Sequence, residues 1–257
     1  MRAGARPGAA EKAVSPVARS ARGLAAHPVR AVLFDLDGTL LDTAEDIATA
    51  LNRALAEQLS APLEVARVRD LIGRGAPMLV QRVVARLAPR PWPVDPVLLL
   101  HRFNFHYERL HEAREYRACP YPGVEAGLAQ LHDHGLCIGV VTNKTCHTAA
   151  ALLAQLHLSH WIDVVVGGDT VEQRKPHPQP LLHACEALRV LPLETLMVGD
   201  SATDVTAARA AGMWVVCVPY GYNEGADARA LPCDGFVESI ADLPALLSAT
   251  AWRRPLG

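Results

Sequence analysis

The chain lacks any apolar run near the roughly 18 residues that a membrane-spanning helix requires. Its longest hydrophobic stretches are short and end at polar residues or glycine, so no membrane partner is expected. It also lacks a large charge of either sign: 25 Lys and Arg stand against 27 Asp and Glu, a formal net charge of −2. Without a basic excess there is no electrostatic footprint for nucleic acid, which leaves a small molecule as the expected partner. The six cysteines contain no Cys-x-x-Cys pair and follow no secretory signal, which argues against a disulfide scaffold and for a reducing cytoplasm. Clustered zinc ligands are missing as well. His101, His106 and His111 recur at five-residue steps, and such steps drift around a helix instead of stacking on one face.

At 257 residues, half of them hydrophobic, the chain has enough apolar material for a substantial core and for one or two domains at about 150 residues each. Residues 1–28 differ from the rest. They are rich in Ala, Arg, Gly and Pro, hold Glu11 as their only acid and show no apolar period. Glycine and proline break the amphipathic helix that an Arg-rich targeting segment needs, so a disordered extension is expected. From Arg30 the pattern changes. Ala31-Val32-Leu33-Phe34 is a short apolar run ending at acidic residues, as a buried parallel strand does when it delivers side chains at its carboxyl end. Similar runs recur at 136–141, 163–166, 196–198 and 213–218, with helical stretches at 124–134, 147–156, 178–188 and 204–211 between them. Strands alternating with helices predict an α/β fold with a doubly wound parallel sheet.

One gap breaks the alternation. Residues 47–118 show helical periodicity and no convincing strand: Ile47, Ala48, Leu51, Ala54, Leu55 and Leu59 share one face, and Val65, Val68, Leu71 and Ile72 continue after Pro62. Gly73-Arg74-Gly75 interrupts, Met78 to Leu87 forms a third stretch closed by Pro89, Pro91 and Pro93, and Val97 to Tyr116 forms a fourth. The expectation is a four-helix cap over 47–118, inserted into a core built from 29–46 and 119–257.

Strand carboxyl ends in an open α/β sheet cluster around one crevice, so Asp35, Asp37, Thr142, Asn143, Asp200 and Asp204 are expected to converge although the sequence scatters them. A phosphate monoester dianion repels an anionic nucleophile, so a site that cleaves it needs positive charge. Asp35 and Asp200 are hard oxygen ligands suited to Mg²⁺, which would let the Asp35 carboxylate attack phosphorus and form an aspartyl-phosphate. Asp37, two residues on, points to the same side of an extended segment, placed to protonate the departing alkoxide and then take a proton from water. Thr142 offers a hydroxyl and Asn143 a backbone N–H to the phosphoryl oxygens, and Lys175 offers a point charge.

These residues resemble a family. Phe34-Asp35-Leu36-Asp37-Gly38-Thr39, Val141-Thr142-Asn143, Lys175-Pro176 and Val198-Gly199-Asp200-Ser201-Ala202-Thr203-Asp204 are similar to the four ordered motifs of the haloacid dehalogenase-type hydrolase superfamily. The resemblance spans Arg30 to the C-terminus. It implies a Rossmann-like core with a helical cap, Asp35 as nucleophile, and Asp37 as acid/base. It also implies Mg²⁺ on Asp35, Asp200 and the carbonyl of Asp37, with Asp204 supporting the metal from behind. Within the superfamily, Gly73-Arg74-Gly75, Tyr121-Pro122-Gly123-Val124 and Pro219-Tyr220-Gly221-Tyr222-Asn223 resemble the bacterial phosphoglycolate phosphatases, implying conversion of 2-phosphoglycolate to glycolate and phosphate. Arg74 is the expected contact for the substrate carboxylate, since a guanidinium fork suits that group.

A phosphatase of sugar or amino-sugar phosphates, or a sugar phosphomutase, would use the same core. A phospho-acceptor receiver domain also combines a strand-end Asp, Thr and Lys with Mg²⁺, but would carry its acidic pair before the acceptor strand and would lack the cap. Monomer and homodimer both stay open.

Overall fold

The computed structural model describes residues 28–87 and 94–249. The extension expected over 1–28 falls almost entirely outside the described residues, as do Pro89, Pro91 and Pro93. Strands β1 (Ala31–Phe34), β4 (Cys137–Val141), β5 (Val164–Val166), β6 (Thr195–Gly199), β7 (Trp214–Cys217) and β8 (Gly235–Phe236) form one sheet in the order β5-β4-β1-β6-β7-β8. Every pairing in it is parallel, which is the expected doubly wound α/β sheet. The strand β8, two residues long, has no apolar run to announce it in the sequence.

The period of two along β1 decides which layer each side chain joins. Val32 and Phe34 enter one apolar cluster with Leu196 and Val198 of β6. Ala31 and Leu33 enter another on the opposite face with Met197 and Val215. Helices α5 (Val124–Asp133), α6 (Cys146–Gln155) and α9 (Leu243–Ala249) pack on the first face, and α7 (Gln179–Leu188) and α8 (Ala202–Ala211) on the second. With both faces covered, β1 is fully buried, and each such apolar side chain contributes about 1.5–3 kcal/mol.

A third apolar cluster belongs to the inserted helices α1 (Ala44–Glu57), α2 (Val65–Arg69), α3 (Ala76–Leu87) and α4 (Pro96–Glu112). Ile47, Ala48, Leu51, Ala54 and Leu55 of α1 are buried at helical spacing, and α1 packs chiefly along α4. Leu59, expected on the same face, is exposed instead, because α1 ends at Glu57 and Leu59 takes a left-handed φ of 53°. Asp95 starts α4, its carboxylate accepting from the N–H groups of Val97 and Leu98, with Pro96 in the first turn. The fourth helical stretch is shorter than its periodicity suggests. It ends at Glu112, and Arg114 takes a left-handed φ of 56°. Strands β2 (Leu41–Asp42) and β3 (Cys119–Pro120) pair antiparallel, joining the chain as it leaves for the helical layer to the chain as it returns. Among the described residues, no helix is long and apolar enough to cross a membrane.

Candidate active site

Asp35 follows β1 directly, and its N–H donates to the Val198 carbonyl at 2.9 Å, continuing the ladder to β6. The carboxylate Oδ1 accepts from the Leu36 N–H at 2.7 Å and lies 3.0 Å from Lys175 Nζ. No hydrogen bond among the described residues falls on Oδ2, which is the oxygen left for chemistry. Behind Asp35 the Lys175 ammonium, almost fully buried, also meets Asp204 Oδ1 at 2.7 Å. Asp204 is the third residue of α8, which explains its exact placement: Ser201 caps the helix and returns its N–H and hydroxyl to Asp204 Oδ2 at 3.2 and 2.7 Å. The helix therefore begins at Ala202, two residues before the start expected at Asp204.

Asp200 stands at the end of β6. Its Oδ2 accepts from the Tyr222 N–H at 2.6 Å and its Oδ1 from the Thr39 hydroxyl at 3.2 Å. Gly38 makes this packing possible: its φ is +88°, and a Cβ there would lie 2.5 Å from Asp200 Oδ2.

Asp35, Asp200 and Asp204 present carboxylate oxygens within 4.8 Å of one another, with the single Lys175 ammonium among them. Burial first, then the neighbouring carboxylates, push Asp35 well above the ordinary carboxylate range against the pull of Lys175. Burial and Asp204 push Asp200 up to about 6. Burial works against the Lys175 charge, but Asp204 and Asp35 outweigh it and raise its pKa. Three acids sharing one cation leave an excess of buried negative charge, and hard oxygen donors with that excess fit a divalent cation. Asp204 is already paired with the Lys175 ammonium at 2.7 Å, whereas Asp35 keeps Oδ2 clear and Asp200 meets no cation among the described residues, so Asp35 and Asp200 are the carboxylates with capacity for a metal.

Asp37 leaves this cluster. Its Oδ1 accepts from the Thr43 hydroxyl at 2.6 Å and its Oδ2 lies 3.3 Å from Lys144 Nζ, and the residue lines a cavity. The cavity, about 180 Å³, lies between the sheet's carboxyl end and the inserted helices. Asp35, Asp37, Thr142 and Asn143 line it from below, and Ile47, Ile72, Gly75, Leu79, Phe103 and Tyr107 from above. Thr142 is anchored by its N–H on the Val166 carbonyl at 2.9 Å. The Asn143 amide donates to the Lys175 carbonyl at 3.0 Å, and its buried Oδ1 has no partner.

The fold thus gathers Asp35, Asp37, Thr142, Asn143, Lys175, Asp200 and Asp204 at one end of the sheet. Arg74 is not part of that convergence. It is absent from the cavity lining, and its Nε donates to Glu224 Oε1 at 2.8 Å. Sequence reasoning missed Lys144 and Tyr107, whose hydroxyl lies 3.3 Å from Lys144 Nζ and whose ring centre lies 4.5 Å from it. The signal for Lys144 was its place directly after Thr142-Asn143; Tyr107 was hidden in the apolar stripe of α4, one turn after Phe103.

A family model described as haloacid dehalogenase-like hydrolase matches residues 32–218. A phosphoglycolate phosphatase of Cupriavidus necator, plasmid-encoded, is 47% identical over 223 residues, covering 86% of this chain and 94% of that protein. The phosphoglycolate phosphatase of Nitrosospira multiformis is 44% identical, covering 87% of this chain and 98% of its own length. The crystal structure of a predicted phosphoglycolate phosphatase from Haemophilus somnus superposes with a TM-score of 0.78 at 30% identity, over 84% of this chain and 97% of that one.

Proposed function

The chain belongs to the haloacid dehalogenase-like hydrolase family, and we propose that it is a Mg²⁺-dependent phosphatase that hydrolyses 2-phosphoglycolate to glycolate and phosphate. The observation that carries the chemistry is the placing of Asp35 and Asp37. Asp35 sits on the cavity floor with Lys175 on one carboxylate oxygen and the other oxygen unencumbered. Asp37 faces the same cavity two residues on. The substrate class rests on the named relatives, which match this chain over 94% and 98% of their own lengths, the stretch of the inserted helices included.

In this reading Asp35 Oδ2 attacks phosphorus and the bond from phosphorus to the ester oxygen breaks. Asp37 gives its proton to that oxygen, releasing glycolate and leaving a phosphoryl group on Asp35. Asp37, now a carboxylate, takes a proton from water as the water oxygen attacks the same phosphorus, and Asp35 departs as a free carboxylate with inorganic phosphate as product. Lys175 offsets the charge of Asp35 throughout, while the Thr142 hydroxyl and the Asn143 backbone N–H hold the phosphoryl oxygens. Asp35, Asp200 and the Asp37 carbonyl would hold Mg²⁺, which would supply the positive charge that a carboxylate needs to approach a phosphate dianion. The inserted helices keep bulk water off the ester. A reducing cytoplasm is the proposed setting, in keeping with six cysteines that form no disulfide.

The test is phosphate release from a panel of small phosphomonoesters, including 2-phosphoglycolate and sugar phosphates, with and without Mg²⁺. Preferred, Mg²⁺-dependent turnover of 2-phosphoglycolate supports the reading; preferred turnover of a sugar phosphate moves it to another phosphatase of the same core.

A further inference from the structure

The cavity contains a second buried lysine for which the reaction outlined above has no use. Lys175 lies behind Asp35, but Lys144 lines the cavity next to Asp37, with its side chain 12% exposed, its ammonium 4.5 Å from the Tyr107 ring centre, and Phe103 and Ile47 elsewhere on the wall. Burying an ammonium among apolar groups is costly, and a fold has no need to do it there. Asp37 and Tyr107 hold it, each at 3.3 Å. An ammonium has three donor hydrogens. Asp37 and Tyr107 take two of them among the described residues, and the third has no protein acceptor.

Two arginines lie near the cavity, both more exposed than Lys144. Arg174 lines it but donates its Nε to the Gly168 carbonyl at 2.6 Å, and Arg74 is paired with Glu224 at the rim. We infer that Lys144, oriented by Tyr107, reads a carboxylate on the leaving group, so that the site selects phosphate esters of small hydroxy acids over neutral phosphate esters. This inference rests on the phosphatase reading and deepens it. An ester that presents its bridging oxygen to Asp37 places a carboxylate one carbon further on the Lys144 side of the cavity, away from Lys175. A neutral sugar in that place offers the ammonium no opposite charge, leaving it desolvated with a donor unmet, which is how a polar site rejects an analogue lacking the matching group.

The experiment compares 2-phosphoglycolate with ethyl phosphate, which has a methyl where the acid has its carboxylate, in the full chain with Mg²⁺. In Lys144→Met the ratio of the two kcat/KM values falls about 50-fold relative to wild type, beyond any loss that both esters share through the contact with Asp37. Inhibition by glycolate weakens in parallel, Lys144→Arg recovers part of the ratio, and Tyr107→Phe lowers it severalfold. An equal loss on both esters, or an unchanged ratio, overturns the assignment and leaves the phosphatase reading standing. A wild type that turns over ethyl phosphate as well as 2-phosphoglycolate overturns the assignment together with the choice of 2-phosphoglycolate as substrate, and one that turns over neither overturns the phosphatase reading itself. Circular dichroism checks folding, and if Lys144→Met does not fold, an unchanged ratio in Tyr107→Phe overturns the assignment on its own.

Discussion

Tyr222 and Asp42 are joined by a 2.8 Å hydrogen bond from the tyrosine hydroxyl to the carboxylate, tying the loop after β7 to the strand from which the inserted helices depart. The same hydroxyl accepts from the Thr43 N–H at 2.7 Å, and the backbone N–H of Tyr222 reaches Asp200 at 2.6 Å. Arg69 of α2 adds a contact from above, 4.8 Å over the Tyr222 ring, and an ion pair with Asp42 at 3.4 Å. One residue therefore links the helical layer, its point of departure and a carboxylate of the acidic cluster.

Removing that hydroxyl leaves the buried Thr43 N–H without its acceptor, and an unmet buried donor costs about 1–3 kcal/mol. Tyr222→Phe is expected to lower the unfolding free energy by that amount in urea titration, with the slope unchanged. A variant as stable as wild type would show that the link carries no energy.

The crowded acids predict a pH effect that a metal abolishes. Asp200 is held up to about 6 from an ordinary 3.8, so between those values the native state binds the proton more tightly than the unfolded state. The resulting stability is fully present below the unfolded pKa and is lost as pH rises through about 6. In chelator, Asp200→Asn, which never ionises, is therefore expected to gain thermal stability relative to wild type as pH rises from 4 to 7. Added Mg²⁺ favours the charged Asp200 and reverses the order above pH 6. If the difference between the two proteins is flat across that range in chelator, the excess negative charge is not there.

Arg74 is predicted to matter little for the carboxylate. With its guanidinium on Glu224, which Arg82 also meets at 2.6 Å, Arg74→Ala is expected to change KM for 2-phosphoglycolate less than about threefold, the range of a rim ion pair. A tenfold rise in KM would restore Arg74 as the carboxylate contact that the sequence suggests.

Much of this convergence was legible in the sequence because short apolar runs end at the residues that meet there. A buried strand needs consecutive apolar residues, and the first residue past its carboxyl end is fixed in space by the ladder, so Asp35, Thr142 and Asp200 announce themselves. The helical layer was legible for a similar reason, since its apolar stripe has a period of its own. What could not be read was the direction of side chains across the gap between layers. Lys144 looks like any polar residue after a strand until α4 places Tyr107 above it, and Arg74 looks like a ligand-binding arginine until Glu224, 150 residues away, takes it. Glu224 adopts a left-handed φ of 53°, and no local pattern predicts such a conformation for a glutamate. The strands β2 and β3 were missed because two residues each carry no period.

The claim on which everything else depends is that Asp35 carries the phosphoryl group. Its most direct measurement is mass spectrometry of enzyme quenched in acid within a single turnover of 2-phosphoglycolate with Mg²⁺. The account predicts a phosphoryl adduct on Asp35 that vanishes as inorganic phosphate appears, and its absence in Asp35→Asn together with a loss in kcat of at least about 1,000-fold. An adduct on another residue, or an Asp35→Asn enzyme that turns over at the wild-type rate, would contradict it.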